Sequence, residues 1–98
     1  MTSVCHIVLV SWKSGAGAHA EEIVRPAARR FVDTIPGVLA VTEGHSASPE
    51  GLEGGFDYGL VVTFASATAR DVYLDHPDHL PVAAAIGAAA ERVLVFDI

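Results

Sequence analysis

The segment Val4-Cys5-His6-Ile7-Val8-Leu9-Val10-Ser11-Trp12 is rich in β-branched residues and almost continuously apolar, the pattern of a strand covered on both faces. Side chains alternate along a strand, so Val4, His6, Val8 and Val10 point one way and Cys5, Ile7 and Leu9 the other. Each face needs its own cover. A chain of 98 residues buries only roughly 60–65% of its unfolded surface, enough for one layer of helices on one face. The other face predicts a second copy of the chain, that is, a homodimer joined sheet to sheet.

The remaining elements follow from periodicity. After the turn Ser14 to Gly17, Ala18 to Ile35 places Ala20, Val24, Ala27, Ala28, Phe31 and Ile35 on one helical stripe. Glu21 and Glu22 precede Arg29 and Arg30, the order that the helix dipole favours. Pro26 predicts either a kink or a helix proper that begins near it. Ile35-Pro36-Gly37 ends the helix, and Val38 to Ser46 reads as a second strand. A polar, glycine-rich connection, Ser48 to Gly55, leads to a third strand over Phe56 to Phe64. Ser66 offers an N-cap for Ala67 to Asp75, Pro77 opens a second short helix running to about Ala90, and Arg92 to Ile98 closes as a fourth strand. The order βαββααβ is an α+β, ferredoxin-like arrangement with its second helix broken, in a single domain over residues 1–98. Trp12, Phe31, Phe56, Phe64 and Phe96 are assigned to packing.

Composition removes several classes of function. A net charge of −6 with only six basic residues leaves no patch for phosphates, which argues against nucleic acid and anionic membranes as partners. The single cysteine, Cys5, rules out an internal disulfide framework and reads as a small interface hydrophobe. The apolar N-terminus lacks a preceding positive residue and a following cleavage site, and Pro81 to Ala90 is too short to span a bilayer, so a cytoplasmic protein is expected. Gly51 to Gly55 lacks the strand-turn-helix context and lysine of a phosphate loop, and no serine sits in a nucleophile elbow.

Asp75-His76-Pro77-Asp78-His79 is the densest titratable cluster in the chain. Histidine titrates near neutrality, which suits it to proton transfer. On the first turn of a helix, His79 is expected to stay neutral beside the positive dipole end, with a lone pair free for base work. Tyr73, six residues earlier, can present its hydroxyl to the same space, and His6 approaches from the sheet. His76 is expected to cap the helix break or to line the site. His76 and His79 have the spacing of helical metal ligands, but Pro77 lies between them and no Cys or Glu joins, which argues against a catalytic transition metal. Arg25 and Arg29, one helical turn apart, either rim a pocket for an acidic ligand or are solvated.

His6-Ile-Val-Leu, Ile35-Pro-Gly-Val38, Gly59-Leu-Val-Val-Thr-Phe64, Tyr73-Leu-Asp-His76-Pro-Asp-His79 and Val93-Leu-Val-Phe-Asp97 together resemble the stress-responsive dimeric α+β barrel (Dabb) family along essentially the whole chain. The resemblance implies a dimer in which two four-stranded sheets pack into a barrel with the helices outside. Within the family, the chain resembles the olivetolic acid cyclase type of polyketide cyclase at several positions. That likeness implies His79 and Tyr73 as catalytic residues and His6, Val8, Ala28, Tyr58 and His76 as substrate-binding ones. Tyr58 stands where the cyclase has a histidine, and Ala28 where an aromatic residue closes its acyl pocket. The family also implies a structural magnesium held by the main-chain carbonyls of Val32, Ile35 and Val38.

The function these readings favour is a cofactor-independent cyclase or lyase acting on a polyketide-like poly-β-carbonyl substrate. His79 would remove a proton between two carbonyls, the enolate would attack another carbonyl, and Tyr73, helped by His6 or Tyr58, would stabilise the oxyanion. Two alternatives remain open: a non-catalytic dimer that binds a small hydrophobic ligand or serves in stress, and a cofactor-free or haem-dependent oxygenase on the same barrel.

Overall fold

The computed structural model describes residues 2–98. Its elements are β1 (Val4–Trp12), α1 (Gly17–Arg29), α2 (Phe31–Thr34), β2 (Val38–Gly44), β3 (Tyr58–Phe64), α3 (Ala67–Leu74), α4 (Leu80–Ala89) and β4 (Ala90–Asp97). The strands form one antiparallel sheet in the order β2-β3-β1-β4. The two strands of strongest β pattern, β1 and β3, are therefore central.

The expected first helix is present but divided differently. It runs unbroken through Pro26 and stops at Arg30, after which α2 adds a single turn. Pro26 is exposed, and so is Glu22 one turn earlier, so water reaches the carbonyl whose partner the proline lacks. Arg30 closes α1 by donating its N–H to Ala27 and Ala28, and the chain re-enters a turn that buries Phe31. The full order is thus βααββααβ. The α3–α4 break is also longer than expected: Pro77 lies in the turn and α4 begins at Leu80. Ser66 caps α3, its hydroxyl accepting from the Ala69 N–H at 3.1 Å. Gly37 has φ of +87°, and a Cβ there would lie 2.5 Å from that of Ala69, so the turn into β2 needs glycine.

The alternation read from β1 holds. His6, Val8 and Val10 are buried under the helices, whereas Cys5, Ile7 and Leu9 are only partly covered. On β3, Tyr58, Leu60, Val62 and Phe64 share the covered face. The edge strand β4 belongs to the apolar surface for which a second copy is expected. Beyond Ala90 it is exposed along its whole length, with Val93, Leu94, Val95 and Phe96 all more than 40% accessible. Phe96 consequently packs in no core within this chain. No helix among the described residues is long and apolar enough to cross a membrane.

Candidate active site

Strand register brings three residues abreast on the covered face: Val62 of β3, His6 of β1 and Asp97 of β4. Above them stands Tyr73, from the last turn of α3, and beside it His79, from the α3–α4 turn. The Tyr73 ring centroid is 4.1 Å from that of His79, 5.8 Å from His6, 5.4 Å from Phe31 and 4.8 Å from Phe64. The structure thus brings His6, near the start of the chain, against Tyr73 and His79 near its end.

Each of the three polar side chains has a defined state. His79 Nδ1 lies 3.1 Å from the Leu74 carbonyl, which can only accept, so Nδ1 carries the proton and Nε2 keeps its lone pair. Burial pushes the His79 pKa below the usual histidine value; the Leu74 contact opposes this, and the nearby His6 and His76 add to it. Desolvation, rather than the helix dipole expected from the sequence, is the main cause of that lowering. Tyr73 is 1% exposed, and burial raises its pKa, so its hydroxyl stays protonated. That hydroxyl has no hydrogen-bond partner among the described residues. His6 Nδ1 donates to Asp97 Oδ1 at 2.6 Å, and Arg70 of α3 binds Asp97 Oδ2 at 2.9 Å. Burial raises the Asp97 pKa, but the bonds and charges of His6 and Arg70 outweigh it and leave the carboxyl below its ordinary value.

Asp97 and Arg70 are the partners that sequence reading missed. Val93, Val95 and Asp97 share one strand face by period two, which is a weak signal for a carboxylate aimed at His6. Nothing local links Arg70 to residue 97.

The other expected site residues fall elsewhere. Tyr58 lies two rows along the sheet, opposite Val10, and its hydroxyl donates to Glu43 at 2.9 Å. Glu43 also binds Arg25 and Arg29, each at 2.9 Å. Both arginines also line a shallow surface pocket on α1 with Glu21, Glu22 and His45, so they rim a pocket as expected while being held by Glu43. Burial alone would raise the Glu43 pKa, but the Tyr58 and Arg29 hydrogen bonds and the two arginine charges bring it below the usual carboxylate value. The resulting clamp ties α1 to β2 and β3. Ala28 is fully buried and Val8 nearly so, both in the core. His76 accepts the Asp78 N–H at Nδ1, capping the turn.

Two cofactor expectations can be set against this geometry. Around Val32, Ile35 and Val38 the turn closes on itself, the Ile35 carbonyl accepting from the Val38 N–H at 3.3 Å, so the chain needs no ion there to hold its shape. No three His, Cys, Asp or Glu side chains among the described residues come together to hold a metal. A haem does not fit, because Phe31, Phe64 and Tyr73, each at most 1% exposed, fill the space beside His6 and His79.

Comparison with known proteins adds the wider setting. A family model described as Dabb, stress responsive A/B barrel domain, matches residues 4–98. A structure from Arabidopsis thaliana is 30% identical, with 97% of this chain and 92% of that one aligned at a TM-score of 0.82. A dimeric ferredoxin-like protein of unknown function from Jannaschia sp. CCS1 superposes at 0.90 with 20% identity, over 99% and 98% of the two chains. The hydroxynitrile lyase of Passiflora edulis superposes at 0.84 with 21% identity, over 98% and 91%. At such identities these last two share the fold alone. No curated protein matches the chain.

Proposed function

This chain belongs to the stress-responsive A/B barrel (Dabb) family, and from that premise we propose that it is a cofactor-independent lyase or cyclase of carbonyl compounds, with His79 as general base and Tyr73 as general acid. The observation that carries this reading is the pairing of a neutral histidine whose Nε2 is free with an unpartnered, protonated tyrosine hydroxyl, ring against ring. No buried side-chain oxygen or nitrogen among the described residues is left without a partner, so this unbonded hydroxyl is not sealed from solvent. A phenol and a free imidazole lone pair side by side at such a point support ligand binding.

In the cyclising direction, His79 Nε2 removes a proton from the carbon between two carbonyls. The enolate forms a carbon–carbon bond to another carbonyl of the same chain, whose π electrons move onto oxygen. That oxygen takes the Tyr73 proton, and the proton held by His79 restores the phenol. Atoms and charges balance without a further reactant. His6, oriented by Asp97 and Arg70, donates to the same oxyanion if its Nε2 is protonated. Run backwards, the steps cleave a carbon–carbon bond next to a hydroxyl, which is the lyase form of the same chemistry.

Tyr73, 1% exposed, is covered by the α3–α4 turn, whose hydrogen bonds are local. His76 N to Tyr73 O, His79 N and Leu80 N to His76 O, and His79 Nδ1 to Leu74 O all lie within the segment. None of these bonds reaches the sheet, and the turn is held to the rest of the chain by the rings of Tyr73 and His79 against Phe31 and Phe64.

The protein further acts as a homodimer in this reading. Cys5, Ile7, Leu9 and Val61 leave the uncovered sheet face only partly shielded, and Leu94, Phe96 and Ile98 are exposed at the β4 side; relatives of this fold are dimeric. Proton abstraction can be tested without the natural substrate, by deuterium exchange at the α-carbon of acetophenone followed by NMR. Wild-type protein is expected to accelerate exchange and His79→Ala to remove the acceleration. Equal exchange in both would overturn the assignment.

A further inference from the structure

We infer that two copies of the chain meet about a two-fold axis running along the strands, which seats β4 of each copy over β2 of the other and puts Leu94 into a cavity floored by glycine. The inference rests on the homodimer reading and adds which surfaces meet. Its basis is the row pattern of the uncovered sheet face. Strand pairing sets three rows across that face in the order β4, β1, β3, β2: Leu94–Leu9–Gly59–Gly44, Phe96–Ile7–Val61–Thr42 and Ile98–Cys5–Thr63–Ala40. Each row begins with a large apolar side chain on β4 and ends with a small residue on β2. Leu94, Phe96 and Ile98 are 41%, 58% and 73% exposed, so β4 carries an apolar ridge. The β2 side is hollow at its glycine row. A Cβ on Gly44 would meet nothing within 4 Å, and one on Gly59 would meet Leu9 only at the ordinary contact distance of 3.5 Å. A cavity of about 540 Å³ lies there, lined among others by Leu9, Gly44, Gly59 and Val61 of the sheet and by Leu52 and Phe56 of the β2–β3 connection.

A face raised on one side and hollow on the other is complementary to itself, but only about one of the two axes that lie in its plane. A two-fold axis along the strands, midway between β1 and β3, keeps every row at its own height and reverses its order. Leu94 then lies over Gly44 of the second copy and Leu9 over Gly59, with Phe96 over Thr42 and Ile98 over Ala40. Leu52, 78% exposed at the cavity rim, gains cover from the same incoming strand. A two-fold axis across the strands instead stacks β4 on β4 and β2 on β2. That arrangement drives the two ridges together and leaves the two glycine hollows facing a gap, whereas packed sheets interdigitate at the density of a protein interior.

Cysteine cross-linking separates the two axes. In a Cys5→Ser background, Thr42→Cys and Phe96→Cys are made singly and together and treated with a bismaleimide spanning about 10 Å, the spacing of packed sheets. The double variant is expected to give covalent dimer on a denaturing gel, and each single variant at least about tenfold less. Covalent dimer from either single variant as readily as from the double one stacks like strands and overturns the inference. Light scattering on the same preparations and on the wild type tells apart the causes of a missing link. A dimer that does not link overturns the axis alone and leaves the cavity to a small ligand, whereas a monomeric wild type overturns the homodimer reading as well. Gly59→Leu fills the hollow from within and is expected to weaken dimerisation at least about tenfold; unchanged dimerisation overturns the seating of Leu94. Should Gly59→Leu fail to fold, the cross-linking decides alone.

Discussion

The imidazole of His79 lies against the phenol of Tyr73 with 4.1 Å between ring centroids, while its Nδ1 is held by the Leu74 carbonyl at 3.1 Å. This contact orients the imidazole and leaves Nε2 without a hydrogen-bond partner among the described residues. It also makes the two residues separable in experiment, because only one of them loses a ring on truncation.

His79→Ala and Tyr73→Phe should each reduce turnover at least about tenfold. Tyr73→Phe keeps every ring contact of the buried aromatic cluster and should leave thermal stability nearly unchanged. Circular dichroism and steady-state rates measured on the same preparations check both halves of this expectation.

The pH profile should carry the mark of a desolvated histidine. Burial lowers the His79 pKa, so the base form persists below pH 6.5, and the acidic limb of kcat/KM should fall at a lower pH than an ordinary histidine would give. The unfolded chain binds this proton more readily than the folded one, so the associated stability is complete above about pH 6.5 and declines as pH falls through the lowered value. Loss of that acidic limb in His79→Gln, measured on residual activity, is the control.

Asp97→Asn should lower activity through His6 without touching substrate. The carboxylate that binds both His6 Nδ1 and Arg70 is replaced by an amide that carries no charge. The expected signature is a fall in kcat with KM nearly unchanged and thermal stability retained, a split that a purely structural role would not give.

Removal of the Glu43 carboxylate should destabilise the fold more than a surface substitution does. In Glu43→Ala the buried Tyr58 hydroxyl loses its partner, a cost of about 1–3 kcal/mol, or a melting temperature lower by several degrees in a chain of this size. Because the Glu43 pKa is lowered on folding, its stabilisation is present above the ordinary carboxylate range and is lost as pH falls through the lowered value. Acid denaturation of the variant should accordingly be shallower than that of the wild type.

Phe96→Asp should convert the dimer to a monomer. Phe96 is 58% exposed on the uncovered face of the sheet, where burying a charge against a second apolar sheet is costly. Val72→Asp, on the similarly exposed outer surface of α3, should leave assembly intact. Light scattering at micromolar concentration separates the outcomes.

Element order was legible in the sequence because strand and helix periods are local. The alternation along β1 correctly placed His6 among apolar residues under the helices, and the Ser66 cap was readable from residue type alone. A helix starting near Pro26 did not form, and α1 runs through it; the exposed position lets water reach the orphaned carbonyl, and exposure is a tertiary property. Phe96 lies outside the core of this chain for a related reason. A strand pattern shows that a residue will face a sheet surface without showing which surfaces the same chain has helices to cover.

Proton-transfer chemistry was suggested by residue type, since histidine and tyrosine carry it wherever they stand. What those residues can do was decided by partners distant in sequence. Asp97 meets His6 only because β4 pairs with β1, and Glu43 takes the Tyr58 hydroxyl only because β2 pairs with β3. Strand alternation and helix amphipathicity are written residue by residue, so the amino-acid sequence alone determined the layers and the faces. Register, desolvation and the filling of the space between those layers depend on every element at once, and the tertiary structure alone decided which histidine keeps a free lone pair and how much room lies beside it.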